Sequence, residues 1–376
     1  MNGDKLDVIF HGRAVGTLSE TPDHKIAFAY TPEWLESGFP VSPFSLPVRP
    51  GVFVPSSMNF GGLFGVFADS LPDAWGQLLM ERMLRRRGLE PGSVGRLTRL
   101  AVIGDAGMGA LGYRPALGTW KARELKDLDE TALECRRILN REDVGDADSL
   151  FALAGSSGGA RPKVMTDEWI IKFPGSNEDQ DSGVMEKAYM DCAMRCGITV
   201  PETRLLPSER CAGYFSVRRF DRTRQPDGSL KRHHMLSAAA ILETDFRTPG
   251  MDYRDLMKLT KILCRDRRED VGQMFRRMCF NVFAHNRDDH SKNFTFLYDE
   301  TKDRWSLSPA YDLTWSSTYY GEHTTTVDGN GRDPGMKELL SVGKWAGLPP
   351  VWCVKTAEQI REETRPLEEK FRPSRA

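Results

Sequence analysis

Two aspartates and an asparagine carry the most informative spacing in this chain. The segment Asn286-Arg287-Asp288-Asp289-His290-Ser291-Lys292-Asn293 sets an asparagine after an aspartate with four residues between, and Pro309-Ala310-Tyr311-Asp312 follows. Phosphoryl transfer needs oxygen ligands for a metal ion, a cation on the phosphates, a group that orients the attacking hydroxyl and a backbone cradle. Little covalent chemistry is left for the protein, so positioning and charge do nearly all of it. Protein kinases meet these needs with the loop H-R-D-x-x-x-x-N; here Asn286 replaces its histidine and the Asp-to-Asn interval is kept. Asp288 is the candidate that accepts or orients the hydroxyl proton. Asn293 and Asp312 are the candidate Mg²⁺ ligands, with Leu313-Thr314 standing where kinases carry Phe-Gly. Taken alone the spacing is one that chance supplies, and a turn cap is the plain alternative for Asp312. Position adds weight: a helical stretch, Val271 to Phe283, precedes the loop, and two strand-like pieces separate it from Asp312.

The other two requirements lie upstream. Lys172 closes the apolar strand Trp169-Ile170-Ile171, where a lysine is costly unless it meets an anion, and phosphate oxygens would satisfy it. Glu186, on the next helix-like stretch, is a candidate ion-pair partner, with an ordinary surface glutamate as the alternative. Before the strand, Gly155-Ser156-Ser157-Gly158-Gly159-Ala160-Arg161-Pro162-Lys163 has the small residues that let backbone N–H groups approach phosphates. By itself such a loop reads as a linker; its place before the Lys172 strand favours the cradle. Rival chemistries have less support. The loop lacks the G-x-S-x-G spacing of a serine hydrolase, His285 and His290 belong to no metal-ligand set, and His233-His234 reads as surface.

The elements that must hold these groups form an α+β chain of 376 residues, long enough for more than one hydrophobic core. Residues 1–115 read as a compact α+β unit, with strands at Asp7 to Phe10 and Ile26 to Tyr30 and a helix from Pro72 to Arg87. Gly104 to Tyr113 is glycine-rich but lacks G-K-[ST], so it reads as a tight turn. Residues 116–149 read as a helical linker and 150–226 as a small α+β lobe with strands around one helix. Residues 227–376 are largely helical after the Asp227-Gly228 turn. A formal net charge of −1 offers no general attraction to a polyanion. Clusters such as Arg85-Arg86-Arg87 read as solvated helix faces, with phosphate contact as the alternative. Seven scattered cysteines without C-x-x-C pairs suit reduced thiols, Cys192 and Cys196 included. With neither a secretory pattern nor a membrane-length apolar run, the expected location is the cytoplasm and no membrane partner is expected.

With these residues assembled, the chain resembles the HipA family of bacterial toxin kinases over nearly its whole length. The resemblance rests on Phe67 to Gly76, the 104–113 loop, the Gly155 to Lys163 loop, Ile171-Lys172, Arg219-Phe220-Asp221-Arg222, Asp288 to Asn293 and Pro309 to Asp312. It implies a two-lobed protein-kinase-like fold with an additional N-terminal α+β subdomain and a mainly helical C-terminal lobe. It implies Mg·ATP as donor and a protein serine or threonine as acceptor, an aminoacyl-tRNA synthetase being one candidate target. ATP contacts are implied at Gly158, Gly159, Ala160, Arg161, Pro162, Lys163, Lys172, Arg218, Arg219 and Phe220. They continue at His290, Ser291, Lys292, Asn293, Tyr311 and Asp312. The resemblance also implies a small helix-turn-helix antitoxin, DNA contact only through it, and autophosphorylation at Ser156 or alternatively Ser157. Two readings stand against it: a kinase for a small-molecule or lipid hydroxyl, and a catalytically silent module bridging an antitoxin on DNA.

Overall fold

Alternation in Leu6-Asp7-Val8-Ile9-Phe10 puts Leu6, Val8 and Phe10 on one face, and all three are buried in the strand Lys5–Phe10. The computed structural model describes residues 5–117, 125, 127–142, 147–154, 158–175, 178, 180–248, 250–265, 267–318 and 321–371. In it this strand is central in a four-stranded antiparallel sheet ordered Ile26–Tyr30, Arg13–Glu20, Lys5–Phe10, Leu111–Arg114. Sequence periodicity finds Ile26–Tyr30 to the residue but not Arg13–Glu20, whose pairing with Lys5–Phe10 shifts register between Val8 and Ile9.

Residues 1–180 and 207–245 pack as one compact unit, and 181–206 and 246–376 as another. In the first, helix Ala74–Arg86 buries Trp75, Leu79, Met80, Met83 and Leu84, an apolar stripe at helical spacing. Its last turn carries Arg85 and Arg86, which suit the negative end of the helix dipole. Strands Lys163–Met165, Trp169–Lys172 and Tyr214–Arg218 pair antiparallel in that order, so that Lys163 faces Lys172 and Lys172 faces Phe215. The Asp227-Gly228 turn joins Arg222–Arg224 to Leu230–Arg232, with Gly228 at φ +84° as a tight turn requires.

The second unit is mainly helical: Ser182–Arg195, Tyr253–Leu263, Arg268–Phe283, Met336–Trp345 and Pro350–Phe371. Asp252 and Asp255 form a capping box at the start of Tyr253–Leu263. Arg268–Phe283 is the core helix, with Met274, Phe275, Met278, Cys279 and Phe280 fully buried. An antiparallel pair, Thr295–Asp299 with Arg304–Leu307, interrupts the helices. The pattern reading misses Met336–Trp345 and stops the last helix short of Phe371. None of the seven cysteines is in a disulfide, and Cys192 and Cys196 are buried. Among the described residues, no helix is long and apolar enough to cross a membrane.

One expectation is reversed. His234 is not a surface residue: it is 1% exposed on strand His234–Ser237, its Nε2 lies 2.8 Å from the Val41 carbonyl, and Phe10 and Phe39 pack on its ring. Burial pushes its pKa down to about 4, so it sits neutral. His233, just before the strand, has its Nε2 2.7 Å from Thr223 Oγ1.

Candidate active site

The second unit gathers the loop residues singled out by spacing. Helix Arg268–Phe283 ends at Ala284, and His285 then takes φ +52°, which turns the chain sharply into Asn286 to Asn293. Asn286 is anchored at once, its backbone N–H and its Nδ2 bonding Asn281 O and Oδ1 at 2.9 and 3.0 Å. The loop closes in a 3₁₀ turn, Ser291–Asn293. Asn293 Nδ2 donates to the Asp288 carbonyl at 2.7 Å, so its amide oxygen is the atom left with ligand capacity.

The two adjacent aspartates have opposite environments. Asp289 is 1% exposed and accepts from Tyr253 Oη at 2.9 Å and Thr325 N at 3.1 Å, with His323 Nδ1 at 2.9 Å. Asn281 Nδ2 adds 2.8 Å to the same Tyr253 oxygen, extending the chain of bonds back to the core helix. Burial, with Asp289 beside it, pushes the Tyr253 phenol well above its usual range. Asp288 instead presents a largely exposed carboxyl, with His290 Nε2 3.7 Å from it. Its pKa is raised, first by the protein mass that thins its hydration, against the lowering pull of His290, and further by the negative charges of Asp312 and Asp289. Asp289 fixes the loop; Asp288 faces outward.

Asp312 takes φ +52°, a left-handed conformation uncommon for a non-glycine residue and of the kind that clusters at functional sites. Tyr311, just before it, donates from Oη to the Lys292 carbonyl at 2.6 Å and so ties this segment to the Asn293 turn. Arg277 on the core helix, 2% exposed, donates to the Ser308 carbonyl, and burial lowers its pKa to about 10. Lys292 Nζ stands 5.0 Å over the Phe246 ring, which also packs on His290 at 5.1 Å. Ser291 is buried.

The donor set fits a hard cation. Asp312 and Asn293 offer carboxylate and amide oxygens, and the repulsion that raises Asp288 is of the kind a nearby cation relieves. Among the described residues no three His, Cys, Asp or Glu side chains converge as a resident metal cage would need. Mg²⁺ is commonly held by one or two protein carboxylates together with substrate phosphates.

The first unit carries the other group of candidates. Gly155, Ser156 and Ser157 lie outside the described residues. Gly158 and Ala160 are exposed, and Gly159 sits at φ +85°. That positive φ calls for glycine, while the one atom near its Cβ position, Lys163 Nζ at 2.9 Å, ends a flexible side chain that can give way. Lys163 folds back to donate to the Gly158 carbonyl, and Pro162 O accepts from Phe173 N at 2.9 Å. Lys163 and Lys172 are 4% and 8% exposed, two buried ammonium-bearing chains directly opposite across the strand pair. Such an arrangement repels cations and attracts anions. Lys172 Nζ also lies 5.6 Å from the Phe215 ring centre.

Three of the predicted arginines are engaged by carboxylates. Arg161 pairs with Glu178 at 2.8 Å and Arg218 with Glu168 at 3.1 Å. Arg219 forks onto the fully buried Asp221 at 3.0 and 2.9 Å, and Arg222 joins at 2.8 Å. Phe220 between them is half-buried. Gly109 N also donates to Asp221, while Arg222 and Arg232 bond the Gly107 and Gly109 carbonyls. Residues 104–110 are thus a loop held by buried guanidinium groups, while 111–113, expected as part of the same turn, belong to strand Leu111–Arg114. Glu186 is 1% exposed on helix Ser182–Arg195 of the second unit.

Sequence reasoning passed over Asp289, Tyr253, Asn281, His323 and Thr325. His323 and Tyr253 lie 34 and 36 residues from Asp289, beyond any spacing pattern. The doubled aspartate was the one local signal.

Opposed buried lysines in the first unit, and carboxylate and amide oxygens near an exposed aspartate in the second, are residue types that phosphoryl transfer uses. Comparison with known proteins narrows this. Residues 6–114 match the HipA N-terminal domain and residues 155–368 the HipA-like C-terminal domain, so the chain belongs to the HipA family. Two proteins of Sinorhizobium fredii (strain NGR234) are similar. "Putative kinase Y4dM" is 26% identical over 391 residues, covering 96% of this chain and 90% of that one. "Putative kinase Y4mE" is 28% identical over 353 residues, covering 84% and 78%. Shewanella oneidensis MR-1 HipA, solved in complex with HipB and its operator DNA, superposes with a TM-score of 0.70. It is 19% identical and covers 98% of this chain and 92% of its own, which establishes the shared fold.

Proposed function

We propose that this chain is a Mg·ATP-dependent protein serine/threonine kinase acting as the toxin of a HipA/HipB-type pair. The observation that carries the reading is the contrast in the second unit: Asp289 locked by three partners, and Asp288 exposed beside Asp312 and the Asn293 turn. In this reading Asp288 orients the acceptor hydroxyl and takes its proton, and Asn293 Oδ1 with the Asp312 carboxylate would hold Mg²⁺. Bound there, Mg²⁺ neutralises charge on the transferring phosphoryl group. Gly158 to Lys163 and Lys172 bind phosphate oxygens, and Glu186 is the partner that orients Lys172. The Arg219-Phe220 strand end, His290 to Lys292 and Tyr311 complete the nucleotide contacts. Self-phosphorylation falls on Ser156, with Ser157 the alternative, where a dianion would repel ATP phosphates and silence the enzyme. A helix-turn-helix antitoxin restrains the kinase and carries the DNA contact, a reading supported by the presence of HipB and operator DNA with HipA in the Shewanella complex.

The test is phosphate transfer from labelled Mg·ATP in a bacterial extract, with phosphopeptide mapping. Label on serine or threonine of an extract protein, such as an aminoacyl-tRNA synthetase, is expected, and EDTA abolishes it. Label only on a metabolite or lipid overturns the protein acceptor. ATP binding without turnover under every condition overturns the enzyme.

A further inference from the structure

The phosphate-binding role of Gly158 to Lys163 leaves open what shapes that loop. Glycines make it cheap to bend and costly to order, since each residue fixed loses backbone entropy. Within the first unit, the start of helix Ala74–Arg86 reaches the loop at both ends. Asp73, the N-cap residue, accepts from Gly159 N through Oδ2 at 3.2 Å. Two residues on, Trp75 donates its backbone N–H to Gly159 O at 3.3 Å and its Nε1–H to Lys163 O at 3.0 Å. Trp75 is 1% exposed, so its indole is a rigid strut whose buried N–H needs that acceptor. The backbone N–H and C=O of Gly159 are thereby both fixed, which sets the direction of the neighbouring backbone N–H groups. Lys163 is held at its carbonyl while its ammonium folds onto Gly158 and its strand position faces Lys172.

We infer that Asp73 and Trp75 are positioning residues for the nucleotide phosphates, so that the N-terminal domain shapes the phosphate loop of the C-terminal one. The inference rests on the ATP reading above. Asp73 is assigned its part through the hydrogen bond that its Oδ2 accepts from Gly159 N. Loosening the clamp weakens what contacts phosphate and spares what contacts the base.

Affinities of the full chain for Mg·ATP and for adenosine, by calorimetry, test this with the variants Asp73→Ala, Asp73→Asn and Trp75→Phe. Asp73→Ala and Trp75→Phe are expected to weaken Mg·ATP about three- to tenfold, the size of one lost hydrogen bond, with adenosine unchanged and KM rising more than kcat falls. Asp73→Asn keeps an acceptor oxygen and restores wild-type binding. Wild-type affinity in both Asp73→Ala and Trp75→Phe overturns the clamp and leaves the kinase reading standing, as does a parallel loss of ATP and adenosine. Tighter ATP binding in both Asp73 variants makes the carboxylate an inhibitor and also overturns it. A wild-type chain that binds no Mg·ATP removes the ATP reading itself, and the clamp with it.

Discussion

Asp288 and Asp289 are chemically identical neighbours with different duties, and the difference lies in what each carboxylate touches. Asp289 satisfies a phenol, an imidazole and a backbone N–H in a dry interior. Asp289→Ala therefore leaves several buried donors unsatisfied and should lower unfolding free energy by about 2–4 kcal/mol in urea titrations, whereas Asp288→Ala should change it by less than about 0.5 kcal/mol. His234 gives a residue-scale pH dependence. Its pKa is about 4 in the folded chain, against ~6.5 for an unperturbed histidine in the unfolded one, so the unfolded state takes up a proton that the native state refuses. Stability is intact above pH ~6.5 and falls as pH drops toward 4, by about 3 kcal/mol from this group. Denaturation midpoints measured across that range should show a steeper decline for the wild type than for His234→Gln. Equal slopes would contradict the assignment.

Elements place these residues, and some of that placement is legible in sequence. Apolar runs and spacing locate Trp169–Lys172, Tyr253–Leu263 and Arg268–Phe283 within a few residues. The Asp-to-Asn interval, the Lys172 strand and the glycines before it are also local signals. What periodicity misses is held by contacts distant in sequence. Arg219 is an expected ATP contact in the linear reading, yet it and Arg222 share a buried carboxylate with a glycine loop 112 residues upstream. A buried ion cluster is strongly destabilised when one partner is removed, since the remaining charges stay buried. Asp221→Asn should accordingly cost about 3–5 kcal/mol by denaturant titration, far beyond the fraction of a kcal/mol expected from exposed pairs such as Arg204 with Glu202.

At the scale of the whole molecule, the candidate residues divide between two units. The first offers a glycine at positive φ and opposed lysines; the second offers carboxylate and amide oxygens and an exposed carboxyl whose pKa is raised. Domain matches at 6–114 and 155–368 place the chain in the HipA family. The bonds from Asp73 and Trp75 to the glycine loop join residues of the N-terminal match to residues of the C-terminal one. The central claim is that Asp288 serves transfer and not binding. Its most direct measurement is the rate of phosphate transfer from Mg·ATP by the wild type and by Asp288→Asn, with ATP affinity determined on the same samples. Loss of a positioned base predicts a rate lower by ~10²–10⁴-fold at unchanged affinity. An Asp288→Asn chain that transfers phosphate at the wild-type rate would contradict the account.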